Sequence, residues 1–543
     1  MEHYDLYNPA WSLTVSVNLS QIDYKSKKSW TGKEVHNKVL NVATALVDVY
    51  QFKPNTAVCI NYHNADICTI MALGVIVAGG IVACAYPKDP YQELLYMARK
   101  IEPKFLFCAH NQLGWATKLE ADMGYPLFGI EIGGKSNEQH LQFQHIEHLL
   151  DYDHTQSKAL RQLPVACLDT RMQPALILMS SGTTGKPKAV PATHWSCIVD
   201  MLRFNLGFDK YKSVIFASAA SLDYVSGRLL QFGAIAAGFK VVLLEEFVPE
   251  TFLDAIQRYA VNTLYLGAAS FYNLITCKTI DDYDLSSLRI VFPMGAKVVY
   301  LDEMRKFLDK HPNILCVRQG YGTSEFCGAA YASFTPEQYL KDPDNCSKLI
   351  PGCQAKVIDP ISGKRLGYNQ IGMIHVKSMS LFPGYYDIQE MHRRQRKRLL
   401  DRDIDVNSIE PVVSDPTIDS PYVADESVFD EEGYYITGDL GYFTNSEDLY
   451  MIGRQKELMS CRGAKKVLPQ ELEETISESN YISKVCVLGI PKRDEPLLSC
   501  PRAFVVPKDC FYGMNLSECK RFLEELHQAN GKDSDDSNNN SDR

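Results

Sequence analysis

Residues 67–87 contain no charged side chain, and this constrains the fold more than any other stretch. The segment is long enough to cross a bilayer. Gly79-Gly80 divides it, however, into a helix-like 67–78 and a strand-like 81–86. Buried helix–turn–strand units of large α/β cores have this pattern. We therefore expect a core unit and no transmembrane segment.

The same alternation runs along much of the chain. Val35, Val39, Val42, Ala43 and Leu46 form a helical stripe within 30–50, and 57–62 reads as a strand. Helix 91–101 and strand 105–109 follow, then 213–218, 227–237, 240–244, 251–259 and 263–266 in turn. Strands and helices at this spacing predict parallel sheets covered by helices. Beyond about residue 349 the pattern shortens. Strands 355–358 and 373–376, with Gly and Pro between them, predict a small antiparallel region.

Residues 390–427 have little hydrophobic period and open on Arg393, Arg394, Arg396, Lys397 and Arg398. We read them as an exposed insertion or long loop; a solvated basic run accounts for them better than an address or an anion patch. After Gly453 comes a small unit. Pro469 begins a helix, 485–488 and 503–506 are strands, and 517–526 is a helix. The fold class is α/β: a large N-terminal domain of helix-covered sheets plus a small antiparallel region, then a small α+β C-terminal domain. The expected limits are 1–454 (with the 390–427 insertion), 455–528, and a disordered acidic tail 529–543.

Composition excludes several classes. The chain is 45% hydrophobic and 22% charged, ordinary for a globular protein with a large core. Lys+Arg 56 against Asp+Glu 66 leaves −10, which does not suit a nucleic-acid or anionic-membrane coat. The 16 cysteines show no CxxC pair or metal-ligand spacing. The polar start carries no apolar signal segment, so reduced thiols in a cytoplasmic or organellar compartment are expected.

The sharpest local feature is Ser180-Ser181-Gly182-Thr183-Thr184-Gly185-Lys186-Pro187-Lys188. It follows an apolar strand at 175–179 and precedes a helical stripe of Trp195, Ile198, Val199 and Leu202. Gly182 and Gly185 let backbone approach a ligand closely. The four hydroxyls, Lys186 and Lys188 add donors and charge, which suits a polyphosphate. The spacing is not that of a Walker loop, and a Ser/Thr/Gly linker does not explain its place after a buried strand.

Residues 181–188 resemble the signature loop of the adenylate-forming superfamily, which includes acyl-CoA synthetases, 4-coumarate–CoA ligases, beetle luciferases and peptide-synthetase adenylation domains. Further motifs follow in the family's order. They are Gln319-Gly320-Tyr321-Gly322-Thr323-Ser324-Glu325, Gly384-Tyr385-Tyr386, Thr437-Gly438-Asp439-Leu440-Gly441 and Gly453-Arg454-Gln455-Lys456-Glu457-Leu458. The resemblance covers roughly 27–526 outside the insertion. The nearest branch is the acyl-CoA synthetase, 4-coumarate–CoA ligase and luciferase-like group, with a shortened C-terminal domain.

The resemblance implies an ATP- and Mg²⁺-dependent ligase that joins a small carboxylic acid to AMP and then to CoA. It implies that Glu325 holds Mg²⁺ beside the phosphates, as suits a hard oxygen ligand. Tyr321 would stack on adenine, with Gly320, Gly322 and Ser324 beside it; a plain core tyrosine is the alternative. Gly295-Ala296 would pass close to adenine and the acyl group, and Met294 stands where the family has a first glycine. Asp439 would accept from both ribose hydroxyls, against a turn-forming aspartate. Arg454 would bind the ribose too, and Lys456 would mark the hinge on which the small domain rotates, against an exposed lysine. His194 and Tyr224 are acyl-site candidates; His194 also reads as a helix-start residue, and the segment around Tyr224 departs from the family.

One departure is larger. The family's lysine in a Pro-Arg/Lys-Thr-x-Ser-Gly-Lys motif has no counterpart here, and Gly531-Lys532 comes too early to replace it. A nucleotide- or acyl-adenylate-binding protein with impaired catalysis is therefore the competing expectation. Ser460 stands where beetle luciferases carry a lysine, so light emission is not expected. Family analogy allows a peroxisomal location, but Ser541-Asp542-Arg543 is not its carboxyl-terminal signal.

Overall fold

The computed structural model describes residues 19–132, 143–157, 169–180, 187–208, 213–298, 300–393, 422–423, 428–457, 459–460, 466–467, 469–477, 479, 481–491 and 499–507. The chain divides into two compact units. One is Met1–Thr437 with Gly441–Met451; the other is Gly438–Leu440 with Ile452–Arg543.

The charge-free stretch folds as helix Asp66–Val77, a glycine turn and strand Ile81–Ala85. Ile70, Met71, Ala72 and Val75 are fully buried, which is why the helix is apolar on every face. Gly79 ends it at φ +85, and a Cβ on Gly80 would meet the Phe52 ring at 2.5 Å. Among the described residues no helix is long and apolar enough to cross a membrane.

That strand sits inside a seven-stranded sheet. Its spatial order is Phe143–His145, Phe128–Ile132, Phe105–Ala109, Ala57–Asn61, Ile81–Ala85, Pro174–Ser180, Lys188–Thr193. Every neighbouring pair is parallel except the last. An eight-stranded sheet runs Ala330–Phe334, Cys316–Tyr321, Ile290–Met294, Thr263–Gly267, Ile215–Ser218, Lys240–Leu243, Leu19–Asp23, Ser29–Thr31. Helices such as Gly32–Tyr50, capped by a Thr31–Glu34 box, cover these sheets.

The predicted antiparallel region is a four-stranded sheet in the order Cys353–Ile358, Gly372–Ser378, Tyr435–Phe443, Leu449–Arg454. Most of 390–427 lies outside the described residues. Its Tyr422–Val423 is a short strand, not loop, pairing antiparallel with Tyr385–Tyr386. In the second unit, helix Pro469–Ser477 accompanies an antiparallel hairpin of Ile482–Pro491 and Ser499–Pro507. The expected helix 517–526 and the tail 529–543 lie outside the described residues.

Candidate functional site

Strand Pro174–Ser180 is buried at Ala175, Leu176, Ile177 and Leu178 and emerges at Met179 and Ser180. It pairs antiparallel with Lys188–Thr193, which brings Ser180 opposite Lys188. The intervening Ser181, Gly182, Thr183, Thr184, Gly185 and Lys186 lie outside the described residues. Both ends of the connection are held. Ser180 Oγ donates to the Lys188 carbonyl at 3.4 Å, and the Tyr96 hydroxyl donates to the Pro187 carbonyl at 2.9 Å. A strand therefore separates this loop from helix His194–Gly207.

The second motif ends strand Cys316–Tyr321 and turns sharply. A Cβ on Gly320 would lie 2.7 Å from the Ala330 carbonyl oxygen, and one on Gly322 only 1.9 Å from that of Cys327. Glu325 follows, 8% exposed, with its backbone carbonyl accepting from Phe382 N–H at 2.8 Å. Its Oε1 accepts from the Tyr385 hydroxyl at 3.1 Å, and the Tyr435 hydroxyl is 3.3 Å from that of Tyr385. Burial, then the charge of Glu325, pushes the Tyr435 phenol far above its ordinary pKa, so it stays a neutral donor. Lys188 Nζ lies 4.4 Å from the Tyr385 ring centroid. Lys188 and Glu325, two predicted residues, thus meet at Tyr385.

Tyr321 is half-buried, 5.7 Å from the Phe326 ring. Ser324 is half-buried in the same turn. Gly295 turns at φ +80 in open space just after strand Ile290–Met294, and Ala296 beside it is exposed. His194 is 5% exposed at the start of its helix, and burial lowers its pKa to about 4, so it is neutral at pH 7. Tyr224 stands at the start of helix Val225–Ala237, 63% exposed.

In the second unit Asp439 is 5% exposed, and Arg454 Nε reaches its Oδ1 at 2.7 Å. Gly438, at φ +73, turns the chain just before it. Lys456 is exposed on a one-turn 3₁₀ helix, Gln455–Glu457.

The residues present fit a magnesium ion. Mg²⁺ takes one or two carboxylates plus substrate phosphates and waters. Glu325 offers one carboxylate with lone pairs beyond the Tyr385 bond, and among the described residues no cluster of three acidic, His or Cys groups competes for a metal. Tyr385 and Tyr435 were not singled out from sequence. Gly384-Tyr385-Tyr386 marked the first as a motif; for Tyr435 the only signal is its place two residues before Thr437.

The AMP-binding enzyme family matches residues 14–386. A luciferin 4-monooxygenase of Photuris pensylvanica is 25% identical over 463 residues, covering 84% of this chain and 76% of that protein. Probable 4-coumarate–CoA ligase 3 of Dictyostelium discoideum is 25% identical over 452 residues, covering 80% and 73%. Among solved structures, ATP-bound MatB from Rhodopseudomonas palustris superposes with a TM-score of 0.72 at 20% identity, covering 96% of this chain and 92% of that one. The amide bond synthetase McbA from Marinactinospora thermotolerans gives 0.70 at 20% identity, covering 95% and 92%.

Proposed function

Because this chain belongs to the AMP-binding enzyme family, the adenylate-forming ligases, we propose that it activates a carboxylic acid with ATP and passes the acyl group to CoA. A carboxylate oxygen attacks the α-phosphorus, the bond to pyrophosphate breaks, and acyl-AMP forms. The CoA sulfur then attacks the acyl carbon, AMP leaves, and the thiol proton goes to solvent. Neither step needs a protein nucleophile, so the protein's work is positioning and charge stabilisation.

The observation that carries this reading is the meeting of Lys188 and Glu325 on Tyr385. One cation and one carboxylate stand where the strand after the hydroxyl-rich loop begins. In the proposal Lys188, with Ser181, Thr183, Thr184 and Lys186, binds the phosphates, and Glu325 holds Mg²⁺. When bound, that ion draws charge off the phosphate oxygens. Tyr321 faces adenine, Asp439 and Arg454 take the ribose, and Lys456 marks the hinge.

The test is pyrophosphate release with benzoate, octanoate and palmitate, with and without CoA. Acid-dependent release supports adenylation, and acyl-CoA in the CoA arm supports the second step. Binding of synthetic acyl-AMP without any release would favour the binding-protein reading.

A further inference from the structure

Helix Tyr91–Ile101 turns Leu94, Leu95, Ala98 and Ile101 into the core. Tyr96 and Lys100 stand one turn apart on another face, both half-buried. Lys100 Nζ lies 5.8 Å from the Tyr96 ring centroid. The proposed chemistry uses neither residue.

Their partners lie on the two sides of the candidate site. The Tyr96 hydroxyl donates to the Pro187 carbonyl at 2.9 Å. That carbonyl shares one rigid peptide plane with the Lys188 N–H, so the bond fixes where the Lys188 backbone begins. Lys100 Nζ pairs with Asp387 Oδ2, and Asp387 Oδ1 accepts from the Glu390 N–H at 3.2 Å. Asp387 follows directly on strand Tyr385–Tyr386. One helix face thus grips the chain beside Lys188 and the chain beside Tyr385, whose ring centroid is 4.4 Å from Lys188 Nζ.

Stability does not account for the two ties. The Lys100 side chain is 30% exposed, and a partly exposed ion pair and one neutral hydrogen bond add little net. Apolar packing supplies the stability: Tyr386, 4% exposed, shares a core cluster with Leu94, Leu95, Ala98 and Ala189. Such packing has no direction and does not fix how far two strands slide past each other. A hydrogen bond and an ion pair set one turn apart on a stiff helix do fix it.

We infer that Tyr96 and Lys100 form a two-point clamp that holds Lys188 against the Tyr385 ring. Both are positioning residues. The inference rests on the reading of Lys188 as a phosphate-binding residue.

The test is steady-state pyrophosphate release by the full-length protein, by Tyr96→Phe, by Lys100→Met, by the two combined, and by Lys100→Arg. Tyr96→Phe removes only the hydroxyl, and Lys100→Met keeps the stem and loses the charge. Each single variant raises KM for ATP by about fivefold, with KM for the acid unaltered. Partial unfolding would instead lower the active fraction and so the turnover, leaving both KM values alone. Opening either end releases the same spacing, so the double variant stays near about fivefold. Lys100→Arg, which keeps charge and reach, stays near the parent. An unchanged KM for ATP in either single variant overturns the inference. So does a double variant near about 25-fold, the product expected of two independent supports. Absence of pyrophosphate release by the parent with all three acids counts against the adenylation reading, and amide hydrogen exchange then judges the clamp. Tyr96→Phe quickens exchange at 385–386 and Lys100→Met at 188–190, each by about tenfold and each at the end opposite to the one released. Exchange there equal to that of the parent overturns the clamp.

Discussion

The Tyr385 hydroxyl donates to Glu325 Oε1 at 3.1 Å, across 60 residues of chain. The same ring lies 4.4 Å from Lys188 Nζ, so a phenol's polar end meets the acid and its π face meets the cation. The two charged groups are held near each other without neutralising one another directly. That leaves each side chain available to a charged ligand.

Tyr385→Phe tests this division. The ring and its contact with Lys188 remain, and only the donor to Glu325 goes. A hydrogen bond to a charged group is worth about 1.5–3 kcal/mol. The turnover of pyrophosphate release should fall by about 10–100-fold, with KM for ATP altered much less. Tyr385→Leu, which also strips the face from Lys188, should raise that KM as well.

Asp439→Asn addresses the second unit. It keeps the shape and an acceptor but removes the charge that pairs with Arg454 at 2.7 Å. The Arg454 side chain is 36% exposed, so water can replace its partner and the fold should hold. ATP affinity by titration calorimetry should weaken by about tenfold, as for one lost charge-assisted bond. An unchanged affinity would remove Asp439 from the nucleotide site.

The sequence carried the fold wherever a local pattern carries it. Gly79-Gly80 divides an apolar run, and a helix–turn–strand unit stands there. Strand Lys188–Thr193 was hidden because Pro191 argues against a strand; it is tolerated at the sheet edge, where one ladder is missing anyway. The tie from Tyr385 to Glu325 and the Lys100–Asp387 pair were not legible. Each joins side chains on elements far apart in sequence, and periodicity says nothing about which residues two packed elements bring together. The pairing of Tyr422–Val423 with Tyr385–Tyr386 was hidden likewise, by a surrounding segment with no period.

Two glycines in the predicted motifs should respond differently to alanine. At Gly322 the new Cβ would sit 1.9 Å from a backbone oxygen of Cys327, which cannot move aside cheaply. Gly322→Ala should cost more than about 3 kcal/mol and abolish activity. At Gly295 the space is open and only the φ of +80 is strained. Gly295→Ala should cost about 1–2 kcal/mol. Urea denaturation midpoints of the two variants check the order.

Stability against pH should show two opposed contributions. Burial lowers the His194 pKa from 6.5 to about 4. The unfolded chain therefore takes up that proton first, and stability present above pH 6.5 is lost as pH falls toward 4. Burial instead raises the Asp223 pKa from 3.8 to about 7, and its Oδ1 is buried without a hydrogen-bond partner. The folded chain keeps that proton longer, so stability present below pH 3.8 is lost as pH rises through 7. Each span corresponds to about 3–4 kcal/mol, and between pH 4 and 6.5 the two largely cancel. Relative to the parent, His194→Gln should gain stability as pH falls from 6.5 to 4, and Asp223→Asn should gain it as pH rises from 4 to 7. Urea midpoints at half-unit pH steps measure both. Parallel curves for parent and His194→Gln would mean that the imidazole is protonated inside the fold.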